Sequence, residues 1–259
     1  MMACRNRVQR SGALLQSQHH SGAWSFGSDP GPENCFHTAL ALMALGSTTI
    51  DGRVPLAVSR AFAWLDSMAG LENHWLWKWK FRYFDRQVRF DTTKTGWPWM
   101  EGTVSWVAPT AMVLLAHHAW QRNSARLATA EAMLLDRACP QGGWNAGNSE
   151  VFGVPLEPHP DFTAMALLAL RPSCRRDLPV IAKSLDYLPD RLISSESTYS
   201  LAWATLALNA WGHSGAPIIA QRLHERLALA NLTAVPVHTL ALVALACEAP
   251  PFSFIGGRP

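Results

Sequence analysis

Residues 139–170 read CPQGGWNAGNSEVFGVPLEPHPDFTAMALLAL. A Gln-Gly-Gly-Trp turn at Gln141–Trp144 leads into a Pro-rich loop, and the loop into a helix that is apolar all round from Ala164 to Leu170. A helix without a polar face must be covered by protein on every side. The segment Thr163–Leu170 (TAMALLAL) has close relatives at Thr38–Leu45 (TALALMAL) and Thr110–His117 (TAMVLLAH), with looser copies at Leu201–Leu208 (LAWATLAL) and His238–Leu245 (HTLALVAL). Their starts are separated by 72, 53, 38 and 37 residues. Recurrence at such a spacing is the signature of a repeat architecture. The first gap is about twice the last because it carries an insertion.

Amphipathic segments lie between the apolar ones. Leu178, Ile181, Leu185 and Leu188 form a stripe spaced three and four apart, and Ile219, Leu223, Leu227 and Ala230 repeat it. Leu127, Leu134 and Leu135 within 124–138, and Val58, Ala61, Leu65 and Met68 within 56–69, read the same way. Such stripes set one face on a core and the other in water. The chain therefore alternates a one-sided helix with an all-apolar helix. The expectation is an all-α fold in a single domain over residues 1–259, with about five helix pairs stacked sideways, apolar helices inside and amphipathic ones outside. If the row curves into a double ring, it forms an α/α toroid around an apolar hollow.

Composition narrows the class. At 259 residues the chain can bury a large core without disulfide or metal staples. A net charge of +3, from 22 basic and 19 acidic side chains, is too small to argue for nucleic acid. Five scattered cysteines read as reduced thiols in a cytoplasmic protein. Met1–Gly12 is basic but lacks the apolar stretch of a signal peptide, and no apolar run reaches transmembrane length. Twelve tryptophans point to a structural repeat, an aromatic cavity, or both.

The stretches Leu15-Gln-Ser-Gln18-His-His-Ser-Gly22-Ala-Trp24 and Ala138-Cys-Pro-Gln141-Gly-Gly143-Trp144 resemble the Gln-Trp repeat of squalene and hopene cyclases. The Thr-Ala-x-Ala-Leu-Leu-Ala-Leu helix after the second resembles the inner helix of those proteins and of protein prenyltransferase β subunits. The resemblance covers roughly Ala13 to Ala249 and implies the α/α-toroid fold. This chain is smaller than the family's full barrel. Read from the residues alone, Gly142 and Gly143 permit a tight backbone, while Gln141 and Trp144 can bond and stack onto the neighbouring helix pair.

Between Ala69 and Ala108 the pattern changes. Trp75, Trp77, Trp79, Phe81 and Tyr83 alternate with Leu76, Lys78, Lys80 and Arg82, which predicts a strand with aromatics on one face and mostly cations on the other. With Val88-Arg-Phe90 it makes a β-hairpin-like insertion spanning about 71–106. Thr95-Gly-Trp97-Pro-Trp99 through Trp106 then stands where a Gln-Trp turn would. Two readings stay open: an aromatic plug in the ring, or a lid whose Lys78, Lys80, Arg82, Arg86 and Arg89 face a diphosphate or lipid head groups.

The candidate chemistry comes from the resemblance. Hopene-type cyclases protonate substrate from an Asp-x-Asp-Asp motif directly before an inner Thr-Ala. The matching residues here are His159-Pro160-Asp161-Phe162 before Thr163-Ala164, with only the middle acid present. The resemblance thus implies Asp161 as acid with His159 beside it, and the residues alone equally allow Asp161 as a helix cap. Aromatic faces stabilise cations, so Trp97, Trp99, Trp106 and Phe162, together with His37, are the expected substrate contacts. Protein prenyltransferases hold zinc through Asp, Cys and His, and Glu33-Asn-Cys35-Phe-His37 offers a related set, though no metal or other cofactor is expected. The expected partner is an isoprenoid or similar lipid-like molecule, bound and either cyclised or transferred, with contact to a membrane surface. The alternative is a non-catalytic toroid binding a lipid or a partner protein.

Overall fold

The structure is a computed structural model, and it describes residues 12–26, 31–46, 52–84 and 90–248. Beyond a short helical stretch at residues 12–16, ten helices carry the described chain: α1 (Cys35–Gly46), α2 (Val54–Ser67), α3 (Trp75–Tyr83), α4 (Val107–Ala119), α5 (Leu127–Asp136), α6 (Pro160–Leu170), α7 (Pro179–Leu192), α8 (Thr198–Ala210), α9 (Ala216–Leu229) and α10 (Val237–Cys247). The all-α class expected from the repeats is what the chain adopts. Proline marks many of the starts: α2, α6, α7 and α9 each hold one in the first two positions. There its fixed φ suits the helix and its missing N–H costs nothing. Asn34 accepts the His37 N–H ahead of α1, and Ser197 accepts the Ser200 N–H ahead of α8.

The described residues fall into two compact units, the first running to Leu134 and the second from Leu135 onward with Phe90 included. In the first, apolar α1 and α4 pack side by side with α2 against α1. In the second, α6, α8 and α10 form a row, with α7 packed on α6 and α9 on α8. Three of the five all-apolar segments are covered as their sequences require: Val107–His117 of α4, Thr163–Leu170 of α6 and Leu201–Leu208 of α8 are buried at every position, whereas α1 is exposed at Leu40 and Ala44 and α10 at His238, Ala241 and Ala244. The amphipathic stripes hold too, with Ile181, Leu185 and Leu188 of α7 and Ile219 and Leu223 of α9 buried.

One element differs from its sequence reading. Trp75–Tyr83 is a helix, not the strand of a hairpin. A lone strand leaves its backbone groups without partners, whereas a helix satisfies its own. The side chain of His74 accepts the Leu76 N–H at its start. The second proposed strand, Val88–Phe90, falls almost wholly outside the described residues, as do Arg86 and Arg89. Among the described residues the hairpin lies instead in the Pro-rich loop, where β1 (Glu150–Val151) pairs with β2 (Val154–Pro155). Phe152 and Gly153 between them have φ of 54° and 76°, the pair of positive values that a tight two-residue hairpin turn demands.

Candidate functional site at the starts of the inner helices

The repeated turn is a hydrogen-bonded clamp. The Trp144 N–H donates to the Thr163 hydroxyl at 2.9 Å, and that hydroxyl donates back to the Trp144 carbonyl at 3.5 Å. Trp24 with Thr38 and Trp97 with Thr110 repeat both bonds, each amide donating at 2.9 Å. A third bond closes each copy: Asn34, Trp106 and His159, four residues before the threonine, donate their N–H to the same tryptophan carbonyl. The threonine that opens each inner helix is therefore the anchor of the loop before it. The indole N–H groups of Trp24 and Trp97 donate to the carbonyls of Leu14 and Leu65.

The turn also locks onto the next amphipathic helix. The Gln18 amide donates to Gly22 and to the Ala57 carbonyl of α2. The Gly143 N–H donates to the Ser184 hydroxyl of α7 at 2.7 Å. A Cβ on Gly142, whose φ is +100°, would lie 2.8 Å from the Lys183 carbonyl carbon. Glycine is required there by both conformation and space. The Gln141 amide donates to the Leu156 carbonyl within its own loop rather than to the neighbouring helix.

A second repeat, not read from the sequence, closes the other ends of the inner helices. Trp120 after α4 donates its indole N–H to Leu42 of α1, and Trp211 after α8 donates to Leu167 of α6. The signal was present: each tryptophan stands ten residues after the start of its apolar segment.

Trp97, expected against a substrate, is instead wholly buried with its indole N–H in use and the Arg126 guanidinium 4.2 Å over its ring. It serves the frame, as Trp24 and Trp144 do. The other candidates sit at the starts of inner helices. In the first unit Trp99 stacks on Phe36 at 5.1 Å, and half-buried Trp106 is the residue before α4. His37 lies between Phe26 and Phe36, and burial holds its pKa below the ordinary histidine value. The zinc set does not converge. Glu33 is engaged by Ser21 and the Trp64 indole, and among the described residues no three His, Cys, Asp or Glu side chains gather as metal ligands. Burial pushes the Cys35 thiol up to about 12.

In the second unit Asp161 stands second in α6, Tyr199 second in α8 and His238 second in α10. The Tyr199 ring lies edge-on to Trp203 at 6.4 Å and to His238 at 6.0 Å. Burial raises the Tyr199 phenol pKa, and the negative charge of Asp161 adds to the rise. The Trp203 indole N–H pulls the other way, yet it is buried and completes no hydrogen bond in this structure. Asp161 is half-buried but does not cap α6, because His159 holds the cap position and no side chain bonds there. A carboxylate in the first turn is favoured by the helix dipole, so its place needs no capping bond. Exposed His159 meets Phe162 edge-on at 5.6 Å rather than bonding Asp161. Tyr199 and Trp203 were missed because their helix is a loose copy of the repeat, and only the packing of α8 on α6 brings Tyr199 within reach of the Asp161 charge.

No family model matches this sequence, and no curated protein matches it. Among solved structures the chain is similar to the apo form of the type II terpene cyclase MstE from Scytonema. The TM-score is 0.42 at 15% identity, over 86% of this chain and 78% of that one.

Proposed function

We propose that the protein binds an isoprenoid chain at the starts of α6, α8 and α10, in the manner expected of a squalene–hopene-cyclase-like or prenyltransferase-like repeat protein. The observation that carries this reading is the cluster of Tyr199 with Trp203 and His238, with the half-buried carboxylate Asp161, which accepts no hydrogen bond among the described residues, near enough for its charge to act on the Tyr199 phenol. Aromatic faces accommodate an alkene chain and stabilise a developing cation, and a carboxyl group is the residue type that protonates one. On this reading Asp161 is the acid and Phe162 a wall of the site, with His159 at its edge.

The second reading is binding without chemistry. It is favoured by the sequence around the acid, where His159 and Phe162 stand in place of flanking carboxylates. Incubation with squalene and with C15 to C20 prenyl diphosphates, followed by mass spectrometry, separates the two. Cyclised or transferred product lost in Asp161→Asn supports catalysis. Saturable binding without product, weakened by Tyr199→Ala and Trp203→Ala, supports binding alone. Product formed equally by Asp161→Asn would rule out the acid assignment, and neither binding nor product would end the isoprenoid reading.

A further inference from the structure

Helix α3 carries the most exposed apolar surface on the described chain. Trp75 is 70% exposed, Leu76 50%, Trp79 54%, Tyr83 57% and, just past the end, Phe84 67%. An ordinary soluble surface scatters large apolar side chains singly, so five within ten residues require an occupant. At about 100° per residue, Trp75, Leu76, Trp79 and Tyr83 fall within one arc of about 100° on the helix. Lys78 and Lys80 lie on opposite flanks of that arc. No acidic residue occurs between Asn73 and Phe84.

The rings support one another. Trp79 meets Phe84 at 4.8 Å and Tyr83 at 6.1 Å, while the Lys80 ammonium sits 4.4 Å over Trp77. The base of α3 is fixed to the body. Both oxygens of buried Glu72 accept the Ser105 N–H at 3.1 Å, and the Leu71 N–H donates to the Thr103 carbonyl. Among the described helices none is long and apolar enough to cross a membrane.

We infer that α3 is a membrane-docking element that lies flat in the interface of an anionic bilayer. Trp and Tyr favour the boundary between head groups and acyl chains, and an amphipathic helix with flanking cations settles there, its apolar face a few ångströms deep. Lys78 and Lys80 meet the anionic head groups. The charge of this strip selects a lipid surface over a neutral apolar partner. The inference stands on α3 alone and is independent of the isoprenoid reading.

The test is flotation of the purified protein with vesicles of pure phosphatidylcholine and with vesicles also containing phosphatidylglycerol. Binding is expected on the anionic vesicles and is weakened by salt. Lys78→Gln with Lys80→Gln lowers it about twenty-five-fold, taking about fivefold for each cation near the surface. Trp75→Glu with Trp79→Glu abolishes it. Both double variants should keep the wild-type circular dichroism and melting temperature, because the altered tryptophans are exposed. Lipids brominated near the head group should quench the wild type more than Trp75→Phe with Trp79→Phe. Failure to float with anionic vesicles, equal flotation of the glutamate variant, or equal binding to neutral vesicles would each overturn the inference. So would concentration-dependent self-association that the glutamate variant abolishes while lipid binding stays absent.

Discussion

Replacing Thr163 by valine isolates the clamp, because the shape is kept and the hydroxyl is lost. In the wild type that hydroxyl is fully buried, accepts the Trp144 N–H at 2.9 Å and donates to the Trp144 carbonyl at 3.5 Å. The carbonyl keeps its other donor, the His159 N–H at 2.8 Å, so the amide is the group that loses its Thr163 acceptor. An unsatisfied buried amide costs about 1–3 kcal/mol. Taking about 2 kcal/mol, a domain of this size loses about 4–8 °C in Tm. The assay is urea and thermal unfolding followed by circular dichroism, with Thr163→Ser as the control that keeps the hydroxyl and gives up one methyl group. Thr163→Ser should fall between wild type and Thr163→Val. Should the valine variant equal the wild type, or the serine variant be the less stable of the two, the hydroxyl is not what holds the loop.

Thr110→Val should show the same loss, since Thr110 serves Trp97 with the same bonds. Gly142→Ala should cost more than Gly102→Ala by urea unfolding. Both have positive φ, +100° and +78°, but only Gly142 has backbone 2.8 Å from the added Cβ. His37 and His117 have pKa values lowered by burial, so they stay neutral in the fold and charge more readily when it opens. Their contribution is fully present above the unfolded value near 6.5 and is lost as pH falls below it, by at most about 1.4 kcal/mol per pH unit for each histidine. Urea midpoints between pH 7.5 and 5.5 should therefore drop, and drop less in His37→Gln with His117→Gln. Iodoacetamide at neutral pH should label exposed Cys247 first and reach buried Cys35 and Cys139 only after unfolding, as peptide mapping will reveal.

The sequence by itself determined the class of the fold and the places of its inner helices. Residues such as Ala164–Leu170 offer no polar side to water, so burial on every side is dictated before any packing is known. The spacing of Trp144 and Thr163 marked a turn and a helix start, though it did not reveal that the two residues bond each other. At Trp75–Tyr83 alternation pointed to a strand, and helix formation prevailed because that segment has no strand to pair with among the described residues. Trp97 and Trp99 are two residues apart and equally aromatic. Only packing decided that the first is buried beneath Arg126 and the second is left to stack on Phe36. Likewise Asp161, Tyr199 and His238 are separated by 38 and 39 positions in the chain. Local pattern cannot bring such residues together, because their proximity depends on which helices lie side by side.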